Sequence, residues 1–324
     1  MTIVKSRPER MGFWKRKYHK LKETKPSTVL FSVIKYVVLI CIMYLIMYPV
    51  FRHFLEAIKS FDDLLDLTVR YIARNPSLEH FTLAIQAMRI PESLINSVFI
   101  SLLVAILQVM SCTLIGYGFG RFNFPFKRLL YVFVVLTLLI PPQTILTAQF
   151  FQFRFFNPFG ISAAITGDSL NLINSVWPFV LLSSSGFGLR NGLYIYLMSQ
   201  FFRGLPNELE EAGVVDGANP FKIFYRVMLP CAATMMVTVF LFSFTWQWTD
   251  SYFTRLFWGT RLTLPTAVGG IATFLMPTGF VIDPVVAQAA SAAAVIIIIA
   301  PILCLYVFTQ KYFIEGLEKS GITG

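Results

Sequence analysis

Glu211-Ala212-Gly213, then Gly217 after three intervening residues, then Val227-Met228-Leu229-Pro230 after nine more, stand between two long apolar runs of a 324-residue chain. The spacing predicts a short polar helix, a glycine turn and a second short helix ended by proline. Asn207, after Pro206, offers an N-cap, and Glu208, Glu210 and Glu211 place negative charge at the positive end of the helix dipole. Leu209, Ala212 and Val215 share one face. Gly213 and Gly217 remove side-chain bulk and so permit close approach by a partner, and Gly217 also suits a left-handed helix end. Pro220 after Asn219 fits the first turn of a second helix through Phe221, Ile223 and Phe224. An elbow of this kind between two apolar runs is either a docking surface or simply a capped helix of the sort any cytoplasmic loop can carry.

The composition around it is that of a membrane protein. Apolar residues make up 56% of the chain and charged residues 14%, where soluble proteins carry about 25% charged. The expected fold is all-α and polytopic, with six spans at Val29 to Val50, Leu94 to Tyr117, Leu129 to Phe151, Leu172 to Phe202, Leu229 to Trp248 and Val285 to Gln310. The first run starts only near Val29 and is long enough to span, so it is expected to stay in the mature protein. The net charge of +10 does not point to nucleic acid, because the basic residues cluster in loops instead of forming one stripe. Cys41, Cys112, Cys231 and Cys304 lie inside apolar segments at wide spacing and are expected to be core thiols, not disulfides or metal ligands.

Lys and Arg mark the cytoplasmic side. The segment before the first span holds Lys5, Arg7, Arg10, Lys15, Arg16, Lys17, Lys20, Lys22 and Lys25 against Glu9 and Glu23. Arg121, Lys127 and Arg128, then Arg203, Lys222 and Arg226, then Lys311 and Lys319 continue the pattern, whereas the loop from Arg52 to Arg89 is balanced by acids. Both termini and the elbow are therefore expected in the cytoplasm. The chain divides into a basic tail (1–28), a first span with an outer loop (29–93), a five-span core (94–312) with the elbow loop at 204–230, and a short tail (313–324). With Phe13, Trp14 and Tyr18 among its charges, the first tail is either an interfacial helix on anionic lipid or a solvated basic arm.

The fourth run is interrupted by Ser183-Ser184-Ser185-Gly186-Phe187-Gly188, which predicts a broken helix. Backbone freed by such a break is tolerated at membrane depth only where protein buries it or a wet cavity meets it. Arg190, just after the break, either serves function within the membrane or reaches a helix end or the interface. Lys35 is expected to snorkel, Pro141-Pro142 to kink the third span and Pro49 to end the first.

The elbow pattern resembles the signature loop of binding-protein-dependent ABC importer permeases. Glu211, Ala212, Gly213, Gly217, Val227, Leu229 and Pro230 match its spacing in full, with Gly213 where alanine is usual and Val227 where isoleucine is frequent. Asn96-Ser97, Gly120-Arg121-Phe122-Asn123-Phe124-Pro125, Asn75-Pro76-Ser77-Leu78-Glu79 and the segment Phe202 to Glu211 are similar to the carbohydrate-uptake, maltose-transporter-type subfamily. The Gly188-Leu189-Arg190-Asn191-Gly192 segment and the long first tail differ from the maltose permease.

The resemblance implies the six-span type I importer permease fold in the bacterial inner membrane. It implies a second related permease, two copies of an ATPase subunit and an extracytoplasmic sugar-binding protein as partners. The elbow then becomes a coupling helix seated in the ATPase, with Glu210, Glu211, Ala212, Gly213, Asp216, Gly217, Leu229 and Pro230 as its residues. The loop from Phe257 to Pro284, with Gly259, Gly269 and Gly270, corresponds in position to the loop that meets the binding protein. Sugars are held by aromatic faces and a few polar groups, which makes Trp246, Gln247, Trp248, Asp250 and Tyr252, together with Arg190, candidates for the substrate pathway. An interfacial aromatic belt is the other reading of the tryptophans and tyrosine.

The chain has no GxxxxGK[ST], so ATP and Mg2+ are expected on the partner ATPase and no cofactor on this chain. An ion-coupled secondary sugar carrier, with Asp250 and Arg190 as proton or sodium elements, is the alternative. An enzyme is disfavoured because His19, His53 and His80 are scattered and no acid pair or nucleophile constellation converges.

Overall fold

A computed structural model describes residues 26–275 and 284–321. The basic tail before Pro26, the stretch 276–283 and the last three residues lie outside the described residues, and with them the expectation for Phe13, Trp14 and Tyr18. The principal helices are α1 (Pro26–Ala57), α2 (Ile90–Arg121), α3 (Lys127–Leu139), α4 (Pro142–Arg154), α5 (Trp177–Ser184), α6 (Asn191–Gly204), α7 (Glu208–Val215), α8 (Pro220–Ile223), α9 (Ala233–Thr249), α10 (Tyr252–Trp258) and α11 (Pro284–Gly321). The all-helical expectation holds among the described residues, where an isolated bridge between Phe156 and Leu170 is the extended pairing found.

Six uniform spans are not what the chain forms. Helices α1, α2 and α11 are each long and apolar enough to cross a membrane, while α3 with α4, and residues 220–231 with α9, are bent pairs at 106° and 72°. The 172–202 run is divided between α5 and α6, with residues 172–176 left outside the helix.

Prolines explain several differences from expectation. Pro49 does not end the first span but lies inside α1, which continues to Ala57; a single missing N–H is tolerated in a long apolar helix. Pro141-Pro142 does interrupt the third span, and more strongly than a kink: α3 and α4 meet at a bend of 106°. The residue before a proline is driven out of the helical region, and two prolines in a row extend both Ile140 (ψ 118°) and Pro141 (ψ 128°). Thr144 then closes the start of α4, its amide donating to the Pro141 carbonyl at 3.0 Å and its hydroxyl at 2.7 Å. Pro230 does not end the second elbow helix either: residues 224–228 widen into a π turn, helix continues to Cys231, and the bend falls at the buried Ala232. Such a widening accommodates a proline ring and its missing N–H.

The expected break in the fourth run is present. Helix α5 closes with Gly186 at φ +83° and the Phe187 amide donating to the Leu182 carbonyl at 2.9 Å, a Schellman turn. The carbonyls this break frees find donors on α2: the Ser111 hydroxyl donates to Ser183 O at 2.6 Å, and Gln108 Nε2 to Leu189 O at 2.9 Å. Gln108 is 1% exposed, and its amide oxygen accepts from the Ser243 hydroxyl of α9. One polar side chain thus ties the break to two helices.

Helix α2 contributes to all three apolar clusters. Ala105 packs with Phe244, Trp248 and the alanine face of α11. Val109, Cys112, Tyr117 and Phe119 meet Tyr194, Met198 and Phe202, largely on α6. Ile100 and Val104 meet Phe153, Phe179 and Phe257. The α2–α6 contact is close because Gly116 and Gly120 face it: a Cβ at Gly116 would collide with Met198 Cβ, and one at Gly120 would lie 2.8 Å from Phe202 Cβ. Small residues four apart are the means by which membrane helices bring their backbones together.

The segment between α1 and α2 is folded. Lys59 is buried, with Nζ donating to the carbonyls of Val69 (2.9 Å) and Arg70 (3.0 Å), and the Asp63 carboxylate accepts from the Asn75 amide at 2.9 Å. Asp66 is held below its ordinary value, first by the Thr68 hydroxyl.

Gly116→Val should overpack the α2–α6 contact and cost about 1–3 kcal/mol or more. Gly118→Ala, whose Cβ meets nothing within 4 Å, should stay within about 1 kcal/mol of the parent. Thermal melting of the detergent-solubilised variants checks this, and equal losses for the two would contradict the packing described.

Candidate functional site

The elbow is a capped, rigid unit. The Gly217 amide donates to Val214 O at 2.9 Å and the Ala218 amide to Gly213 O at 3.0 Å, closing α7 in a Schellman turn with Gly217 at φ +69°. The Asn219 side chain accepts from the Lys222 amide at 2.8 Å and caps α8, with Pro220 as its first residue. Gly213 serves the chain itself, since a Cβ there would lie 2.9 Å from Ile223 Cγ1 and push α8 away.

Asn207 does not cap α7. Its backbone is already helical (φ −70°, ψ −26°), and its amide oxygen instead accepts from Arg121 Nη1. Arg121 also donates from Nη2 to Leu205 O at 2.6 Å, and its Nε lies 3.7 Å from Glu210 Oε1. Tyr117 donates to the same Glu210 oxygen at 3.1 Å and packs its ring on Phe202 and Phe224. The elbow therefore hangs from the last turn of α2. Tyr117 and Arg121 were not among the sequence candidates as anchors, and a polar residue at the last turn of an apolar span was the available signal.

Outward, Val214, Val215, Phe221 and Tyr225 are exposed, with Glu211, Ala212 and Asp216 among them. Leu229 is half-buried and Pro230 exposed.

A second site lies where helices break. Helix α6 has 14 residues, so Arg190 sits about 21 Å from the elbow end of that helix at 1.5 Å per residue. Two adjoining cavities of about 290 and 220 Å3 open there and share Pro142, Leu189, Arg190 and Phe253. The ends of α3 and α9 meet Arg190 there, Thr137 and Ile140 in one cavity and Trp246 and Thr249 in the other. Trp246, Asp250 and Tyr252 line the smaller one. The Arg190 guanidinium lies 4.4 Å from the centre of the Trp246 ring.

Two candidates stand elsewhere. Trp248 is 1% exposed, stacks on Phe244 at 5.5 Å and donates from Nε1 to Ile298 O of α11 at 3.1 Å. Gln247 is buried and donates to Thr254 Oγ1 at 3.2 Å. Both fall on the core side of α9, because Trp246 and Asp250, four residues apart, share the face toward the cavity. Asp250 is turned into α10: its oxygens accept from the Phe253 amide (3.3 Å), the Thr254 amide (2.8 Å) and the Thr254 hydroxyl (2.9 Å).

The segment after α9 forms short helices in place of an open loop. Residues Leu264–Val268 and Ile271–Phe274 are helical, with Leu264, Ala267 and Ile271 buried against the core. Asn96 Nδ2 donates to Leu262 O at 2.9 Å, and the Leu264 amide donates to Ser97 Oγ at 2.8 Å, so the pair opening the second span holds this segment. Gly269 and Gly270 are the exposed turn between the two short helices, and Gly259 follows α10, where a Cβ would lie 2.6 Å from the Arg255 carbonyl. The end of that loop, residues 276–283, lies outside the described residues.

The model for the family described as binding-protein-dependent transport system inner membrane component matches residues 112–318, from within α2 through the cavity, the elbow and most of α11. The chain belongs to this family. It is similar to the trehalose transport system permease protein SugB of Mycobacterium tuberculosis, 30% identical over 72% of this chain and 77% of that protein. It is also similar to the galactooligosaccharides transport system permease protein GanQ of Bacillus subtilis, 24% identical over 94% of this chain and 99% of that one. In fold it resembles a chain of a bacterial ABC transporter involved in import of the acidic polysaccharide alginate, with a TM-score of 0.65 at 17% identity, over 90% of this chain and 99% of the other. The matched residues include both the elbow and the cavity, which α2 and α6 join.

Arg121→Ala should loosen the elbow. Loss of charge-assisted bonds worth about 1.5–3 kcal/mol predicts at least about tenfold faster amide hydrogen exchange across residues 208–217. Unchanged exchange there would mean that Arg121 does not hold α7.

Proposed function

We propose that this chain is a membrane-spanning subunit of an ATP-driven saccharide importer and that α7 and α8 form the seat of a separate ATPase subunit. The observation that carries this is the elbow's outer face. Val214, Val215, Phe221 and Tyr225 are between 64% and 86% exposed on a helix pair held by a Schellman turn, the Asn219 cap and the Tyr117–Glu210 and Arg121 anchors. Burying such side chains against a partner is worth about 1.5–3 kcal/mol each. A rigid face transmits force where a flexible loop would absorb it. The saccharides named for SugB and GanQ support a sugar as cargo.

In this reading the elbow and both termini are cytoplasmic, in keeping with the excess of Lys and Arg on those segments. ATP and Mg2+ bind the ATPase, since this chain has no phosphate-cradling loop. The assembly joins this subunit to a second related permease, two ATPase copies and an extracytoplasmic sugar-binding protein. Closure of the ATPase pair moves the elbow, and α2 and α6 carry the movement to the cavity where they meet the broken helices. The cavity then opens alternately to the two sides, driven by the different affinities of two states for nucleotide. The Gly269-Gly270 turn faces the binding protein. An ion-coupled carrier gains no support, because the Asp250 oxygens are occupied by α10 and Arg190 is not paired with Asp250.

Gly217→Asp puts a charge on the docking face and strains a left-handed position, and it should abolish uptake while leaving the chain inserted at parental levels. Normal uptake by this variant would refute the seat. Deleting Gly269 and Gly270 should remove stimulation of the ATPase by the binding protein; stimulation equal to the parent's would dispose of the contact.

A further inference from the structure

The cavity at the broken helices carries a charge with no partner. Arg190 is exposed and makes no salt bridge or side-chain hydrogen bond among the described residues; its contact is the face of Trp246 at 4.4 Å. Arginine stacked on an aromatic ring keeps its five N–H donors available in the ring plane, an arrangement suited to bidentate recognition of an oxyanion. The neighbouring carboxylate does not compete for it, because Asp250 is bonded to two amides and a hydroxyl at the start of α10.

A second observation points to a ligand at the same place. Asn191, the first residue of α6, is 1% exposed and lines the larger cavity, yet neither its amide nitrogen nor its amide oxygen has a partner among the described residues. Gln149 of α4 lines the same cavity with a buried, unpartnered amide oxygen. Buried polar groups are rarely left without partners because each then bears its full desolvation cost, and three polar side chains left open at one cavity describe a site completed by something that enters it.

We propose that this cavity receives an anionic group of the transported saccharide, a carboxylate, phosphate or sulfate, on Arg190, while Asn191 and Gln149 meet adjacent hydroxyls. Trp246 holds the guanidinium and Tyr252 offers a further ring at the cavity wall. The inference rests on the saccharide-import reading above and narrows it from saccharides in general to acidic or anionically substituted ones. The site is a binding station without chemistry: no bond forms or breaks.

The test uses the importer reconstituted in proteoliposomes with its ATPase, second permease and binding protein, and reads uptake of maltotriose, trigalacturonate, a sulfated trisaccharide and glucose 6-phosphate. Uptake of one or more anionic probes, at least about tenfold above neutral maltotriose, is expected. In Arg190→Gln, uptake of the preferred anionic probe should fall at least about tenfold, with Arg190→Lys recovering part of it. Preference for maltotriose in the parent assembly would overturn the inference and leave the importer intact. Arg190→Gln uptake equal to the parent's would overturn it too. No ATP-dependent uptake of any saccharide would instead overturn the import reading, and the inference with it. The parent's preference among probes decides the question even if the Arg190 variants fail to assemble.

Discussion

Backbone carbonyls released by a broken helix in an apolar environment must be satisfied by protein, since each left bare in hydrocarbon costs several kcal/mol. In this chain α2 supplies what the break between α5 and α6 lacks: Ser111 takes Ser183 O and Gln108 takes Leu189 O. Gln108 also receives the Ser243 hydroxyl of α9. The cavity wall therefore exists because α2 stands beside it. Gly188 shows how tight the arrangement is, since a Cβ there would lie 2.6 Å from Gln108 Nε2.

The same two helices reach the elbow. From Gln108 to Arg121, α2 runs about 20 Å at 1.5 Å per residue, with α6 alongside it through the Gly116 and Gly120 contacts. At one end α2 holds the broken backbone, and at the other Tyr117 and Arg121 hold α7. In the proposed importer, a displacement at the elbow reaches the cavity through this packed backbone. This is the physical content of coupling in the proposed importer: one continuous element with a docking face at one end and a substrate-sized space toward the other. The segment between α1 and α2, with Lys59 and Asp63 buried in its own hydrogen bonds, is a separate folded feature beyond that path.

Much of the elbow was legible because its signals are local. Asn219-Pro220 starts a helix and Gly217 ends one, and both do so here. Asn207 misled because its amide had a better partner in Arg121, 86 residues away in sequence. The break in the fourth run was legible in its serines and glycines, but not its partners, which lie 72 and 81 residues upstream. The proline pair announced a disturbance and not its size, because two extended residues in succession turn the chain through 106° where one would bend it less. Trp246 and Trp248 read alike in sequence; only the position of α11 decides that the second is core. The Gly116–Gly120 spacing inside an apolar span was a signal present and unused.

The measurement that tests the central claim most directly is purification of this chain, by an affinity handle, from its native membrane in mild detergent, with the co-purifying proteins identified by mass spectrometry and ATP hydrolysis assayed on the complex. The account predicts a P-loop ATPase and a second related permease in fixed proportion to the chain, with hydrolysis by the complex. Recovery of the chain alone, transporting a sugar in exchange for ions and without ATP, would contradict it.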